Sequence, residues 1–406
     1  MVSFTSCQVQ LPLPLLIQLM MQSEDKYQSI RCYNDSDANT KINELLSEER
    51  FGKVLSFLYP EEKVEGIKEF LKNIKTIKGF QKGLVHPYLT KMVKNTTAGL
   101  SFSGLKYLDP RRSYLFISNH RDIVLDSALL NFLLLENKFN TTEIAIGSNL
   151  LIFPWIEILV RLNKSFLVKR NLPVREMLKA SRELSSYINY TLQEKGSSIW
   201  IAQKEGRTKD GNDKTQPALL KMLNMDSDDS IVRSFKKMRI VPVSISYEIE
   251  PCDKLKAKEL YKKFKEGAYV KDPKEDLLSM SGGLNNFKGR IHYTFGKPLK
   301  RKLFKLKRIH NRNEQFSKLA TIIDSQIYKG YKLFPGNYAA YDILFNSDNF
   351  KDKYTDIEFE EFTKHMNKQI EDIEGDKKII KMIFLQIYAN PVVNRYYLRQ
   401  KPVSFV

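Results

Sequence analysis

The sequence predicts an α/β protein: a largely parallel sheet flanked by helices, with further helical regions before and after it. Three observations carry this. Between about residues 95 and 300, short β-branched and aromatic runs alternate with longer stretches of helical periodicity, the pattern of strands joined by crossover helices. On either side of that region, apolar residues recur at three- and four-residue spacing without strand-like runs. The 406 residues, 42% hydrophobic and 28% charged, have the composition of a globular chain of two or three domains.

Residues 1–35 read as a disordered leader. Within it, LPLPLLIQLMM at 11–21 has the length of a signal-peptide core, but no Lys or Arg precedes it and no small-residue cleavage site follows. It therefore reads as a leader or a membrane-touching tail. Residues 36–94 read as helical: Ile42, Leu45 and Leu46 share a face, Asp37 or Asn39 could cap the start, and Pro60 separates two helices. Residues 95–300 form the α/β region. Strand character appears in LSFSGLKYL, RSYLFISN, EIAIG, KSFLVKR, SSIWIAQ, RIVPVSISYE and GRIHYTFGKPL. Pro242 demotes its run to an edge strand or marks a special strand entry. Segment 144–162 reads as buried, or as a partly exposed apolar surface that docks on a bilayer interface. Residues 301–406 return to a helical pattern.

Charge and cysteine content narrow the function classes. Lys and Arg number 66 against 47 acids, a net +19 that favours phosphates, anionic lipid or acidic protein partners. Between 297 and 312, eight of sixteen positions are basic with no acid among them, a solvated helix face or an anion-binding patch. Three scattered cysteines give neither a disulfide framework nor zinc spacing, and five histidines argue against a multi-histidine metal site. No stretch is apolar for the roughly 20 residues that a spanning helix requires. No nucleic-acid motif accompanies the basic runs, so a basic nucleic-acid-binding or scaffolding protein is the rival of a different class.

Four stretches carry chemistry. In ISNHRDIVLDSALL a strand ends near Ser118 and His120 emerges in the loop behind it. Ligands of open α/β sheets bind outside the carboxyl ends of the strands, so this histidine stands where a general base would. Asp122 or Asp126 could fix its tautomer through Nδ1. Lys169 and Arg170 end the next run, beneath Phe166. Glu205, Gly206 and Arg207 form a turn in which glycine permits close backbone approach and the guanidinium suits phosphate. Val-Pro-Val at 241–243 is the fourth.

Together, the His/Asp loop, the Phe…Lys-Arg strand end, the Glu-Gly-Arg turn and the Val-Pro-Val strand resemble the glycerolipid acyltransferases, which act on glycerol-3-phosphate or 1-acylglycerol-3-phosphate. The resemblance covers roughly residues 95–300. It implies His120 as general base, Asp126 as its partner, Arg170 and Arg207 as phosphate ligands, and Glu205 and Gly206 in the acceptor site. Lys169 is placed with the substrate-binding residues. The sequence departs from the family twice. Five residues stand between His120 and Asp126 where the family has four, which keeps Asp122 in play, and Gln203-Lys204 precedes Glu205 where the family has proline.

The implied reaction moves an acyl group from acyl carrier protein or coenzyme A to a phosphorylated glycerol, in phospholipid biosynthesis. It needs no metal and no cofactor beyond that thioester co-substrate. The implied setting is peripheral, on the cytoplasmic face of an anionic membrane, without nucleic acid. An O-acyltransferase for a lyso-aminolipid, whose acceptor lacks phosphate, is the neighbouring reading. An inactive family member is a third.

Overall fold

All seven runs with strand character enter one sheet. In the computed structural model, which describes residues 26–396 apart from 268, 270 and 271, they are β1 (Gly99–Ser103), β2 (Leu115–Ser118), β3 (Glu143–Gly147), β4 (Ser165–Val168), β5 (Ile199–Ala202), β6 (Ile240–Tyr247) and β7 (Arg290–Phe295). Their order is β1-β7-β6-β2-β5-β3-β4. Every neighbouring pair is parallel except β6 with β7. The carboxyl ends of β2, β3, β4, β5 and β6 therefore lie together.

Alternation within the strands divides the core between two faces. Leu115 and Ile117 of β2, Ile199 and Ile201 of β5, and Ile240 of β6 pack with Leu184 and Ile188 of the helix Val174–Gln193 and with Leu319 and Ile323 of the helix Arg312–Gly330. Phe116, Trp200, Val241 and Val243 pack instead with Leu125, Leu129 and Leu133 of the helix Leu125–Glu136 and with Leu89 and Met92 of the helix His86–Thr96. The core thus extends past the expected limits of 95 and 300, because each face needs a helix from a flank to close it.

Several other expectations are corrected. Residues 1–25 of the expected leader lie outside the described residues, but Tyr27, Ile30 and Cys32 are buried. Tyr27 packs edge-on against Tyr187, and the Ile30 carbonyl accepts from the Leu167 amide. The first helix among the described residues, Asp35–Ser47, is capped by Asn34, with Asp37 as the reciprocal member of the capping box. Pro242 lies in a central strand. Its carbonyl accepts from Gly296, one residue past the end of the β6–β7 ladder at Val243 and Phe295, so its missing N–H costs no sheet bond. Trp155 packs near Phe51, with ring centroids 6.4 Å apart, in the cluster formed by the N-terminal helices.

Candidate active site

β2 delivers the central residues. Past Ser118, the Asn119 side chain continues the sheet by bonding both ways to Ile245 of β6: Nδ2 donates to its carbonyl at 2.9 Å and Oδ1 accepts its amide at 2.8 Å. That clamp fixes the backbone just before His120. The next turn is tied as well, since the Thr208 amide donates to the His120 carbonyl at 2.8 Å. The His120 ring stands edge-on to Trp200, 5.6 Å between centroids.

Of the two aspartates, it is Asp126 that the structure brings to His120. Its Oδ2 lies 2.8 Å from Nδ1, which leaves the opposite ring nitrogen, Nε2, facing away from the pair. The same oxygen accepts the backbone N–H groups of Arg121 at 2.5 Å and Asp122 at 3.0 Å, and Oδ1 accepts the Tyr247 hydroxyl at 2.8 Å. Burial pushes this carboxyl up. The bond and charge of His120 and the two amides outweigh burial and hold it below the ordinary range.

Asp122 does other work, and the extra residue of the loop is absorbed there. Its Oδ1 accepts the amides of Val124 at 2.9 Å and Leu125 at 2.8 Å, capping the helix that carries Asp126. Its Oδ2 is buried without a hydrogen-bond partner. Burial, then the charge of Asp126, raises its pKa against those amides and Arg207.

The cations divide. Arg170 lies 2.9 Å from the exposed Glu205 carboxylate, which joins the ends of β4 and β5. Lys169, one residue earlier and just past the end of β4, instead bonds Glu183 at 3.0 Å and Ser29 at 3.2 Å. Gly206 has a φ of +68°, a left-handed turn that glycine makes without strain. Arg207 is 8% exposed. Its Nη2 lies 3.7 Å from Asp276 of the helix Pro273–Asn285, and its Nη1 is buried without a partner. That helix therefore covers Arg207, which was expected to be an accessible phosphate ligand.

Tyr247, Asn119 and Trp200 escaped the sequence reading. Alternation along β6 placed Tyr247 on the face of Val243 and Ile245 but gave no sign that its hydroxyl meets Asp126. Among the described residues, no group of three or more His, Cys, Asp or Glu side chains is placed to hold a metal ion, and no helix is long and apolar enough to cross a membrane.

Residues 99–246, which include the His120–Asp126 pair, Arg170 and the Glu205–Arg207 turn, match the family model described as Acyltransferase. It is this segment that resembles the acyltransferase family. The resemblance read from the four sequence blocks is thereby borne out at the level of the family. No curated protein matches the sequence. Among solved structures, the 1-acyl-sn-glycerophosphate (LPA) acyltransferase PlsC from Thermotoga maritima is 14% identical, over 65% of this chain and 90% of that one, with a TM-score of 0.32. In segment 99–246 the histidine–carboxylate pair stands at the carboxyl end of the sheet, the end at which open α/β sheets bind ligands.

Proposed function

We propose that the protein transfers a fatty acyl group from a thioester, acyl carrier protein or coenzyme A, to the free hydroxyl of a phosphorylated glycerol, in phospholipid biosynthesis at a membrane surface. The observation that carries this is the 2.8 Å contact between His120 Nδ1 and a carboxylate saturated by other donors. Asp126 holds Nδ1 protonated, so Nε2 presents its lone pair. Nε2 takes the acceptor's hydroxyl proton as the oxygen attacks the thioester carbonyl. The tetrahedral intermediate then expels the thiolate, which recovers the proton from the imidazolium. Asp126 stabilises that imidazolium without itself accepting the proton. General-base help of this kind supplies roughly 10²–10⁴-fold, and the rest comes from holding the acceptor in place.

Arg170 is the outer phosphate ligand, exchanging Glu205 for the acceptor. Arg207 is an inner one, reached when the helix Pro273–Asn285 shifts. Burial and the neighbouring Asp126 raise the Asp122 pKa, which disfavours negative charge near the incoming phosphate.

The test is a thiol-release assay. Acyl carrier protein and coenzyme A donors are crossed with glycerol-3-phosphate, 1-acylglycerol-3-phosphate and a phosphate-free lyso-aminolipid. Turnover requires a phosphorylated acceptor and vanishes in a folded His120→Ala variant. Turnover retained in that variant overturns the assignment of the base, and a preference for the lyso-aminolipid overturns the acceptor.

A further inference from the structure

The helix Val174–Gln193 follows β4, which is linked through β3 and β5 to β2 by parallel pairing. It therefore starts at the end of the sheet from which His120 emerges. Its first two turns overhang the core: residues 173–179 are all exposed, and the first fully buried side chain is Leu184. Val174 is 71%, Met177 49% and Leu178 57% exposed. Their spacing puts them on one face, the continuation of the stripe that further along buries Leu184, Ser185 and Ile188. Arg175, Lys179 and Arg182 form an exposed cationic strip beside it. Of the acids on these turns, Glu183 is held by Lys169, which leaves Glu176. Ile152, 41% exposed, sits on the loop after β3 at the same end of the sheet.

We propose that this overhanging helix tip is the surface by which the protein docks on an anionic lipid bilayer, with Val174, Met177 and Leu178 in the acyl boundary and Arg175, Lys179 and Arg182 among the headgroups. A convex tip exposed on all sides offers no groove for a folded partner, whereas a fluid interface closes around it. Its cations match anionic headgroups. Its position four residues after Arg170 lets a lipid acceptor pass from bilayer to site without crossing water. The inference rests on the acyltransferase reading for its purpose and names the partner surface of that same site.

The basic run at 297–312 is the competing surface, and the fold sets it apart. The Leu299 amide bonds the carbonyl of Ile240, the first residue of β6, so the run begins at the amino end of the parallel strands, remote from His120. One bilayer plane does not serve both ends.

Co-sedimentation of the full chain with vesicles of phosphatidylglycerol and phosphatidylcholine in equal parts tests this, with pure phosphatidylcholine vesicles as reference. The triple variant Val174→Ser, Met177→Ser, Leu178→Ser lowers partitioning about tenfold or more. The triple variant Arg175→Gln, Lys179→Gln, Arg182→Gln lowers it on the order of a hundredfold at low salt. Lys305→Gln, Lys307→Gln, Arg308→Gln binds as the parent does. All the tip substitutions are of exposed residues, so an unchanged melting temperature verifies the fold. Tip variants that sediment like the parent, or a loss confined to the 305–308 variant, overturn the proposal. So does a tip variant that loses acyl carrier protein while keeping vesicles. His120→Ala binds vesicles like the parent, whereas a parent chain that releases no thiol yet sediments through its tip refutes the enzymatic reading and leaves the docking surface standing.

Discussion

Two ionic clusters begin one residue apart. Among the described residues, His120 has one hydrogen-bonding side-chain partner, Asp126, and its side chain is 14% exposed. Arg121 is enclosed. Its Nη2 lies 2.6 Å from Asp213 and its Nη1 3.3 Å from Glu250, while Lys256 reaches both the Arg121 carbonyl at 2.8 Å and Glu250 at 2.5 Å. Burial works against the Arg121 charge, but Asp213 and Glu250 hold its pKa well above the ordinary value. Arg121 Nε and Asp213 Oδ1 are buried without hydrogen-bond partners, but the ion pairs around them fix the loop against the helix Asp253–Glu266, which carries Lys256. The open pair, with one ring nitrogen left over, retains the capacity to accept a proton. The pairing state of each side chain, more than its charge or its proximity to the strand end, separates chemistry from scaffolding.

The largest expected effect comes from breaking the open cluster. Asp126→Asn lowers thiol release by roughly 10²–10⁴-fold, since Nδ1 loses the acceptor that sets its tautomer. Asp122→Asn, which preserves a helix cap, stays within a few-fold of the parent. Equal losses in the two variants would dissolve the distinction. Breaking the closed cluster shows in stability instead. Arg121→Met leaves Asp213 buried without its counter-charge, while Lys256 still holds Glu250, a loss on the order of 3–5 kcal/mol, read from the denaturant midpoint.

A smaller effect belongs to the rim. Arg170→Ala raises KM for a phosphorylated acceptor by roughly tenfold to a hundredfold, with kcat nearly unchanged. An unaltered KM removes Arg170 from the acceptor site. The smallest concerns Asp324, whose pKa burial pushes up to about 6 although Thr215 donates to it twice. Between about pH 4 and 6 the folded state therefore holds more protons than the unfolded, and stability declines as pH rises through that window. Asp324→Asn keeps the acceptor and removes the charge. It gains about 1–2 kcal/mol at neutral pH, discounted for partial exposure, and thermal melts show the gain fading toward pH 4.

The strands were legible because each is a short apolar run with turn residues on either side, and all seven were read. The layering was not. Nothing local in Arg312–Gly330 says that its Leu319 and Ile323 close the sheet rather than a separate domain, because that partnership spans nearly two hundred residues. At the site, the His/Asp loop was visible as a pattern, but the choice between Asp122 and Asp126 depended on which carboxylate the backbone amides of the turn would occupy. Lys169 was misjudged because adjacent residues just past β4 take different partners: Arg170 pairs with Glu205, while Lys169 pairs with Glu183. The covering of Arg207 depends on a helix more than sixty residues downstream, which no local signal announces.

Gly283 gives that helix an unusual property. A β-carbon at this position would stand 2.1 Å from the unpartnered Oδ2 of Asp122, while one at Gly282 would rest 3.4 Å from the Cys252 sulfur. One added methyl at 283 is thus a doorstop. Gly283→Ala must lever the helix off the loop, bare the guanidinium beneath it and expose the thiol at 252 to alkylation, so a hydrogen atom is what keeps this enclosure shut.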